Sequence, residues 1–361
     1  MTARLRFAFF GSSLVSSYWN GACTYYRGLA RCLHARGHEI VFYEPIAYER
    51  QEHRDIDDPD YARVVVYPAQ TEQQVLRTVQ TARHGFDVVV KCSGVGVHDT
   101  LLERAVLDLG APVTIFWDVD APATLARMEA DAADPLRARI ADFDVVLTYG
   151  GGDPVVRRYG ALGARDCVPV YNALDPTTHY PVAPRAQLRA DLSFLGNRLP
   201  DRETRVEEFF FGPAAAARDH AFLLGGSGWD DRVAGLRNVS HLGHVATGDH
   251  NALNCSALSV LNVSRASMAA SGYSPATRIF EAAGAGACVI TDAWEGIELF
   301  LEPGDEVLVA RDGEEVCELL RALRARRARR IGEAARERVL AAHTYMDRAA
   351  QVEALLTGVP A

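Results

Sequence analysis

The run SPATRIFEAAGAGACVITD, residues 274–292, reads as a loop, an amphipathic helix starting at about Pro275, a glycine break and a buried strand. Free amides in the first turn of such a helix favour an anion. Ser274 and Thr277 lie in that turn, and Arg278 adds a fixed cation beside it. Glu281, one turn further on, is a carboxylate able to accept both hydroxyls of a ribose. A capped surface helix with a solvent-facing Arg278 and Glu281 is the plainer alternative.

DLSFLGNRLPDRETR, residues 191–205, is a strand ending at Gly196 and followed by Asn197, Arg198 and Arg202. A glycine at that turn lets backbone approach a phosphate closely, although a polar turn with solvated arginines has the same composition. LLGGSGWD, residues 223–230, offers the amides of Gly225, Gly226 and Ser227 to phosphate in the same way. Ordinary tight turns explain those glycines almost as well.

The N-terminal half carries its own candidates. GSSLVSSYWNGACTYYRG follows the first strand and places Asn20 and Gly21 just before a helix. It lacks the GxGxxG spacing of a dinucleotide site, which counts against a nicotinamide-dependent oxidoreductase even with Glu44 near the place of the usual acidic residue. FWDVDAPATL ends a buried strand with Asp118 and Asp120, two residues apart and on one face if extended. Such a pair suits a divalent ion; the more economical assignment gives Asp120 the work of orienting or deprotonating a hydroxyl. His98 and Asp99 in KCSGVGVHD compete for that role, and a helix cap explains either residue equally simply.

These stretches need a scaffold that brings loops together. From Leu5 onward, short apolar runs closed by Gly, Asp or Pro alternate with segments of helical period, the pattern of repeated strand–helix–strand units and a parallel sheet. The expected strands are 5–10, 39–43, 63–67, 87–91, 113–117, 145–149 and 167–170, then 191–195, 221–224, 239–242, 257–263, 288–291 and 306–309. A first helix over 25–36 ends at Gly37. Residues 172–190 hold three prolines and few large hydrophobes, which suits a linker. The expected domains are therefore 1–175 and 176–340, with a closing helix over 341–361. Two doubly wound domains facing a central cleft place ligands at the carboxyl ends of the strands.

Composition narrows the classes. Of 361 residues 48% are hydrophobic and 24% charged, as in an ordinary globular enzyme, and the net charge of -9 opposes a nucleic-acid partner. Seven scattered cysteines suggest neither a disulfide framework nor a zinc site. With no signal-like segment and no long apolar run, a cytoplasmic location is expected. The arginine-rich RALRARRARR, residues 321–330, reads as a solvated helix face, with peripheral contact to a membrane or a polyanionic acceptor as the sharper alternative.

The segment around Glu281 resembles the nucleotide-sugar-binding helix of glycosyltransferases with the GT-B fold, and the chain is similar over nearly its full length to their spore-maturation-protein (CgeB-like) group. The wider likeness rests on FFGSSLVSSYWNGACTYYRGLARCLHARGHEI, FWDVDAPATL, PVYNALDP and EPGDEVL. The resemblance implies that Glu281 contacts the donor ribose. It matches Asn197 and Arg202 to a Gly-Arg-x4-Lys element, making Arg202 the cation that stabilises the leaving diphosphate in place of a metal. His244 and Val245, in HLGHV, fall where related enzymes hold the base, and Asn20 and Gly21 where a glycine loop meets the donor or acceptor. The closing segment HTYMDRAAQVEALL resembles the helix that crosses back to the first domain. One position departs from the pattern: Tyr273 stands where many retaining members carry a first glutamate, eight residues before the ribose-binding one.

The expected function is thus transfer of a sugar from a nucleoside diphosphate sugar, UDP or TDP favoured, to a small-molecule, glycan or protein hydroxyl, with neither metal nor cofactor. Asp120 or His98 would handle the acceptor hydroxyl and Asp118 would line its site. A nucleotide-sugar epimerase of the same fold, or a catalytically weak sugar-nucleotide-binding protein, are the rival readings.

Overall fold

The computed structural model describes residues 4–18 and 20–358. The chain divides into two compact units, one of Met1–Tyr171 with Tyr345–Ala361 and one of Asn172–Thr344.

In the first unit, seven parallel strands lie in the order β3-β2-β1-β4-β5-β6-β7. They are β1 (Arg6–Phe10), β2 (Glu39–Pro45), β3 (Arg63–Tyr67), β4 (Val88–Cys92), β5 (Val113–Asp118), β6 (Val145–Thr148) and β7 (Cys167–Pro169). Helices α1 (Cys23–Ala35), α2 (Glu72–Gln80), α3 (Asp99–Leu107), α4 (Ala121–Ala130) and α5 (Gly152–Ala161) connect them. Side chains alternate along each strand, so both faces must be covered. Ala8 and Phe10 of β1 join a core with Val75 and Val79 of α2 and Leu102 of α3. Phe9 faces the other way, with its ring 6.0 Å from those of Phe42 and Trp117. On α1, Tyr25 donates to the Val170 carbonyl at 2.6 Å.

The second unit has six parallel strands in the order β10-β9-β8-β11-β12-β13. These are β8 (Leu192–Leu195), β9 (Phe222–Gly225), β10 (Val239–His241), β11 (Ser259–Asn262), β12 (Val289–Asp292) and β13 (Leu308–Ala310). Its helices are α6 (Pro200–Val206), α7 (Gly212–Ala216), α8 (His250–Ser256), α9 (Ala266–Ser271), α10 (Thr277–Gly284), α11 (Gly313–Ala322) and α12 (Ala325–Ala342). Strand order reverses between β8 and β11, where open parallel sheets place their ligand loops. Gly332 of α12 touches the loop after α10 so closely that a side-chain carbon would meet the Gly286 carbonyl at 2.1 Å.

Beyond α12, α13 (Tyr345–Thr357) returns to the first unit and packs on α1. Its Tyr345 ring fills the space over Gly28, where an added Cβ would come within 2.2 Å.

Each strand run in the sequence is a strand in the structure, with ends moved by a residue or two. Two helix starts are corrected. α1 begins at Cys23 rather than Tyr25, and the helix carrying Glu281 begins at Thr277, since Ala276 is extended (φ -67, ψ 149) and Pro275 precedes it outside the helix. Gly37 does end α1 with φ +98, the left-handed conformation glycine allows. Among the described residues, no helix is long and apolar enough to cross a membrane.

Candidate functional site

The second unit concentrates charge at its switch-point edge. Helix α10 holds Arg278 and Glu281 three residues apart, and Arg278 Nη1 stands 3.1 Å from Glu281 Oε2, an ion contact without hydrogen-bond alignment. Burial alone would raise the Glu281 carboxyl. The Arg278 guanidinium leads the neighbours that more than offset it, so the group lies below its ordinary value and is ionised at neutral pH. Arg202, on α6, lies near enough to Arg278 to feel its charge. Burial, then Arg278, pull the Arg202 guanidinium down to about 10, leaving it a cation at neutral pH.

The neighbouring loops explain why Arg202 sits there. Its Nη2 donates to the Asn197 carbonyl at 2.7 Å and its guanidinium lies 5.6 Å from the Phe194 ring centre. A side chain at Gly196 would come within 2.7 Å of Nη2, so the glycine leaves room for the arginine. The buried Nε atoms of Arg202 and Arg278 have no hydrogen-bond partner in the protein. Two neighbouring guanidiniums with unmet donors are suited to a polyanion.

The glycine turns behave differently from the expectation. The Gly226 amide donates to the Gly243 carbonyl at 2.7 Å and the Ser227 amide to Asn197 Oδ1 at 3.0 Å. The Gly225 carbonyl accepts from the Gly196 amide at 2.9 Å. Gly226 packs on Gly196 so tightly, at φ +120, that any side chain would meet its carbonyl at 2.2 Å. Trp229 is buried and donates to the Gly196 carbonyl at 2.8 Å. These loops bind each other, and the Gly226 and Ser227 amides are already spent.

His244 and Val245 line a cavity of about 330 Å³ together with Leu188, Leu253, Arg185 and Asp249. Arg185 and Asp249 pair at 2.7 Å in its wall. Apolar side chains with one ion pair give a planar base both stacking surface and hydrogen-bonding edges. Ser274 is buried and its hydroxyl donates to the Gly272 carbonyl at 2.9 Å, while Thr277 is the first residue of α10.

Tyr273 adopts φ +48, rare for a bulky residue. Its amide donates to the Glu295 carbonyl at 2.6 Å and its hydroxyl to the Glu295 carboxylate at 3.0 Å. The Glu295 carboxylate, from the loop after β12, is thereby held against the Tyr273 phenol.

Two residues near Glu281 were missed. His179, buried, points Nε2 to within 3.8 Å of Glu281 Oε1, and its Nδ1 contacts the Thr178 hydroxyl at 3.0 Å. His250, at the start of α8, is pulled down to about 4, first by burial and then by Arg278, and is neutral at ordinary pH. One glycine makes the approach possible: a Cβ on Gly284 would collide with Leu174 at 2.3 Å and press on the His179 carbonyl at 3.1 Å. No local motif surrounds either histidine, and His179 lies in the proline-rich stretch read as a linker.

The first-unit candidates fall on loops after neighbouring strands. His98 is in the left-handed region at φ +51, caps α3 without a side-chain bond, and has Nε2 3.1 Å from the Ala69 carbonyl. Asp99 pairs with buried Lys91 at 2.6 Å. Asp120 precedes α4 and is half-buried. Two placements correct the sequence reading. Asp118 is fully buried and accepts from Tyr159 at 2.5 Å, Thr124 at 3.1 Å and the Asp120 amide at 2.9 Å, so no oxygen is exposed to an acceptor. Asn20 is buried too, bonded to the Ser12 hydroxyl at 2.9 Å and the Ser13 and Ser16 carbonyls at 2.9 and 3.1 Å, and it ties the loop after β1 to itself. Gly21 is exposed, has open space around it and is not held at positive φ, so the fold itself does not require glycine there.

Known structures share the architecture that carries these residues. Residues 202–354 match the family model described as glycosyl transferase-like. Both units superpose with GT-B structures. Sucrose-phosphate synthase from Thermosynechococcus elongatus aligns at TM-score 0.73 and 15% identity, over 98% of each chain. Anabaena HepE in complex with UDP-glucose aligns at 0.71 and 15%, over 98% of this chain and 100% of its own. AviGT4, a glycosyltransferase involved in avilamycin A biosynthesis, aligns at 0.61 and 18%, over 98% of both. No curated protein matches the sequence. The fold is therefore GT-B: two Rossmann-like α/β domains, each on a parallel sheet.

Proposed function

We propose that this protein is a glycosyltransferase of the CgeB-like group that moves a sugar from a UDP- or TDP-sugar to a hydroxyl acceptor, without metal or cofactor, in the cytoplasm. The observation that carries the reading is the buried, ionised Glu281 beside Arg278 and Arg202, whose Nε donors lack partners. The carboxylate takes the ribose hydroxyls and the guanidiniums take the diphosphate. The cavity beside His244 and Val245 takes the base.

In the reaction, the bond from the anomeric carbon to the diphosphate oxygen breaks and the diphosphate leaves with the electron pair. Arg202, Arg278 and the first amides of α10 stabilise that growing charge. The acceptor oxygen bonds to the anomeric carbon, and Asp120 or His98 takes its proton. The first unit binds the acceptor. A UDP-glucose-bound HepE and a UDP-bound form of the same protein among the similar structures favour uracil over other bases.

The test is thermal stabilisation by UDP, TDP, GDP, ADP and NAD, without and then with magnesium, repeated on Glu281→Ala. Stabilisation by one nucleoside diphosphate that is lost in the variant is expected. Stabilisation by NAD alone, or by none of them, overturns the reading.

A further inference from the structure

Around Glu281 the two carboxylate oxygens face different chemistry. Oε2 meets Arg278 at 3.1 Å, whereas Oε1 is turned toward His179 Nε2 at 3.8 Å. One nitrogen of His179, one of His250 and one oxygen of Glu281 all lie within 4.8 Å of one another. His179 is only 5% exposed and Glu281 7%. His179 Nε2 and His250 Nδ1 are buried atoms without any hydrogen-bond partner, so each histidine of the group keeps an unsatisfied imidazole nitrogen.

The His179 ring is also held from behind, where Thr178 Oγ1 contacts Nδ1 at 3.0 Å. Asn251 Nδ2 donates to the Thr178 carbonyl at 2.9 Å, tying the His179 segment to α8. Engagement of the far nitrogen by an outer group is the arrangement that orients imidazole ligands.

We propose that His179, His250 and Glu281 form a binding site for a divalent transition ion of the zinc class. Two imidazoles and one carboxylate suit zinc, cobalt or nickel rather than magnesium or calcium, which prefer all-oxygen shells. Zinc-class bonds of about 2.0–2.2 Å bring tetrahedral ligand atoms to roughly 3.3–3.6 Å apart, so small side-chain rotations close the site. Arg278 faces the second carboxylate oxygen and stays outside the shell. Three protein ligands leave a fourth position for water.

A consequence rests on the proposed function: ion and donor share Glu281, so the ion excludes the donor and inhibits the enzyme. Titration of the full-length protein with Co²⁺, followed by the visible bands of tetrahedral cobalt, tests the site directly. Bands are expected in the wild type, weakened roughly tenfold or more in affinity in His179→Gln and in His250→Gln and unchanged in His34→Ala, which alters an exposed residue of the first unit. Circular dichroism and melting curves establish that the variants are folded. If a glutamine variant fails to fold, the corresponding alanine variant and Glu281→Gln provide the same test. No bands in the wild type, or bands that persist at full affinity in folded ligand variants, overturn the site. Addition of UDP separates the two proposals: displacement of histidine-dependent bands supports both, whereas their survival under saturating UDP keeps the metal site and overturns the placement of ribose at Glu281.

Discussion

The Tyr273 phenol donates to the Glu295 carboxylate at 3.0 Å, while the Tyr273 amide is bonded to the Glu295 carbonyl at 2.6 Å. The double link holds a left-handed tyrosine against the loop after β12, and a Cβ on Gly296 would strike its ring at 2.3 Å. Strain of this kind persists where surrounding structure fixes it, often at a functional site. Tyr273→Phe is expected to change stability by no more than about 1 kcal/mol. Glu295→Ala and Tyr273→Phe should each lower kcat for sugar transfer severalfold while leaving UDP affinity intact. Equal kcat in all three proteins would show that the pair only braces the loop.

Arg202 and Arg278 predict a signature in donor binding. Arg202→Ala removes one of two diphosphate cations and is expected to weaken UDP binding tenfold or more, about 1.4 kcal/mol, while uridine binds unchanged. Isothermal titration with both ligands checks this. A parallel loss for uridine would place Arg202 away from the phosphates.

Gly284→Val introduces a side chain where even a Cβ lies 2.3 Å from Leu174 and 3.1 Å from the His179 carbonyl. Overpacking there is expected to cost about 1–3 kcal/mol and to displace the His179 segment from α10. Chemical denaturation measures the first effect, and loss of UDP stabilisation the second.

Asp55 gives a pH dependence in the first unit. Burial pushes its carboxyl up, but a two-pronged pair with Arg27 at 3.0 and 2.7 Å and two bonds from Ser17 hold it below its ordinary value of 3.8. A depressed acid stabilises the fold fully above its unfolded value and loses that contribution as pH falls through the folded one. Unfolding midpoints of the wild type should therefore decline below about pH 4, and Asp55→Asn should start lower and decline less. Parallel curves for the two proteins would show that Asp55 does not contribute.

The alternation of strands and helices was legible because strands buried on both faces read as apolar runs: VVVKC and VTIFWD need no context. Arg278 and Glu281 were legible because both lie on one short helix. His179 and His250 were not, because they meet only after the chain between them has built β8, β9 and β10. The glycines of LLGGSGWD misled for a related reason. A glycine needed for close backbone packing has the same letter as one needed for a phosphate, and only the Gly226 contact with Gly196 tells them apart.

The return of α13 to α1 has a consequence for synthesis. The first unit begins with the first strand of the chain, yet the Tyr345 ring that covers Gly28 is made only after the whole second unit. During translation the second unit has all its residues while the first still waits for its last helix, and the apolar face of α1 stays uncovered until then. A chain ending at residue 344 should therefore display a protease-resistant second unit beside a cleavable first one. The full chain should show both units resistant.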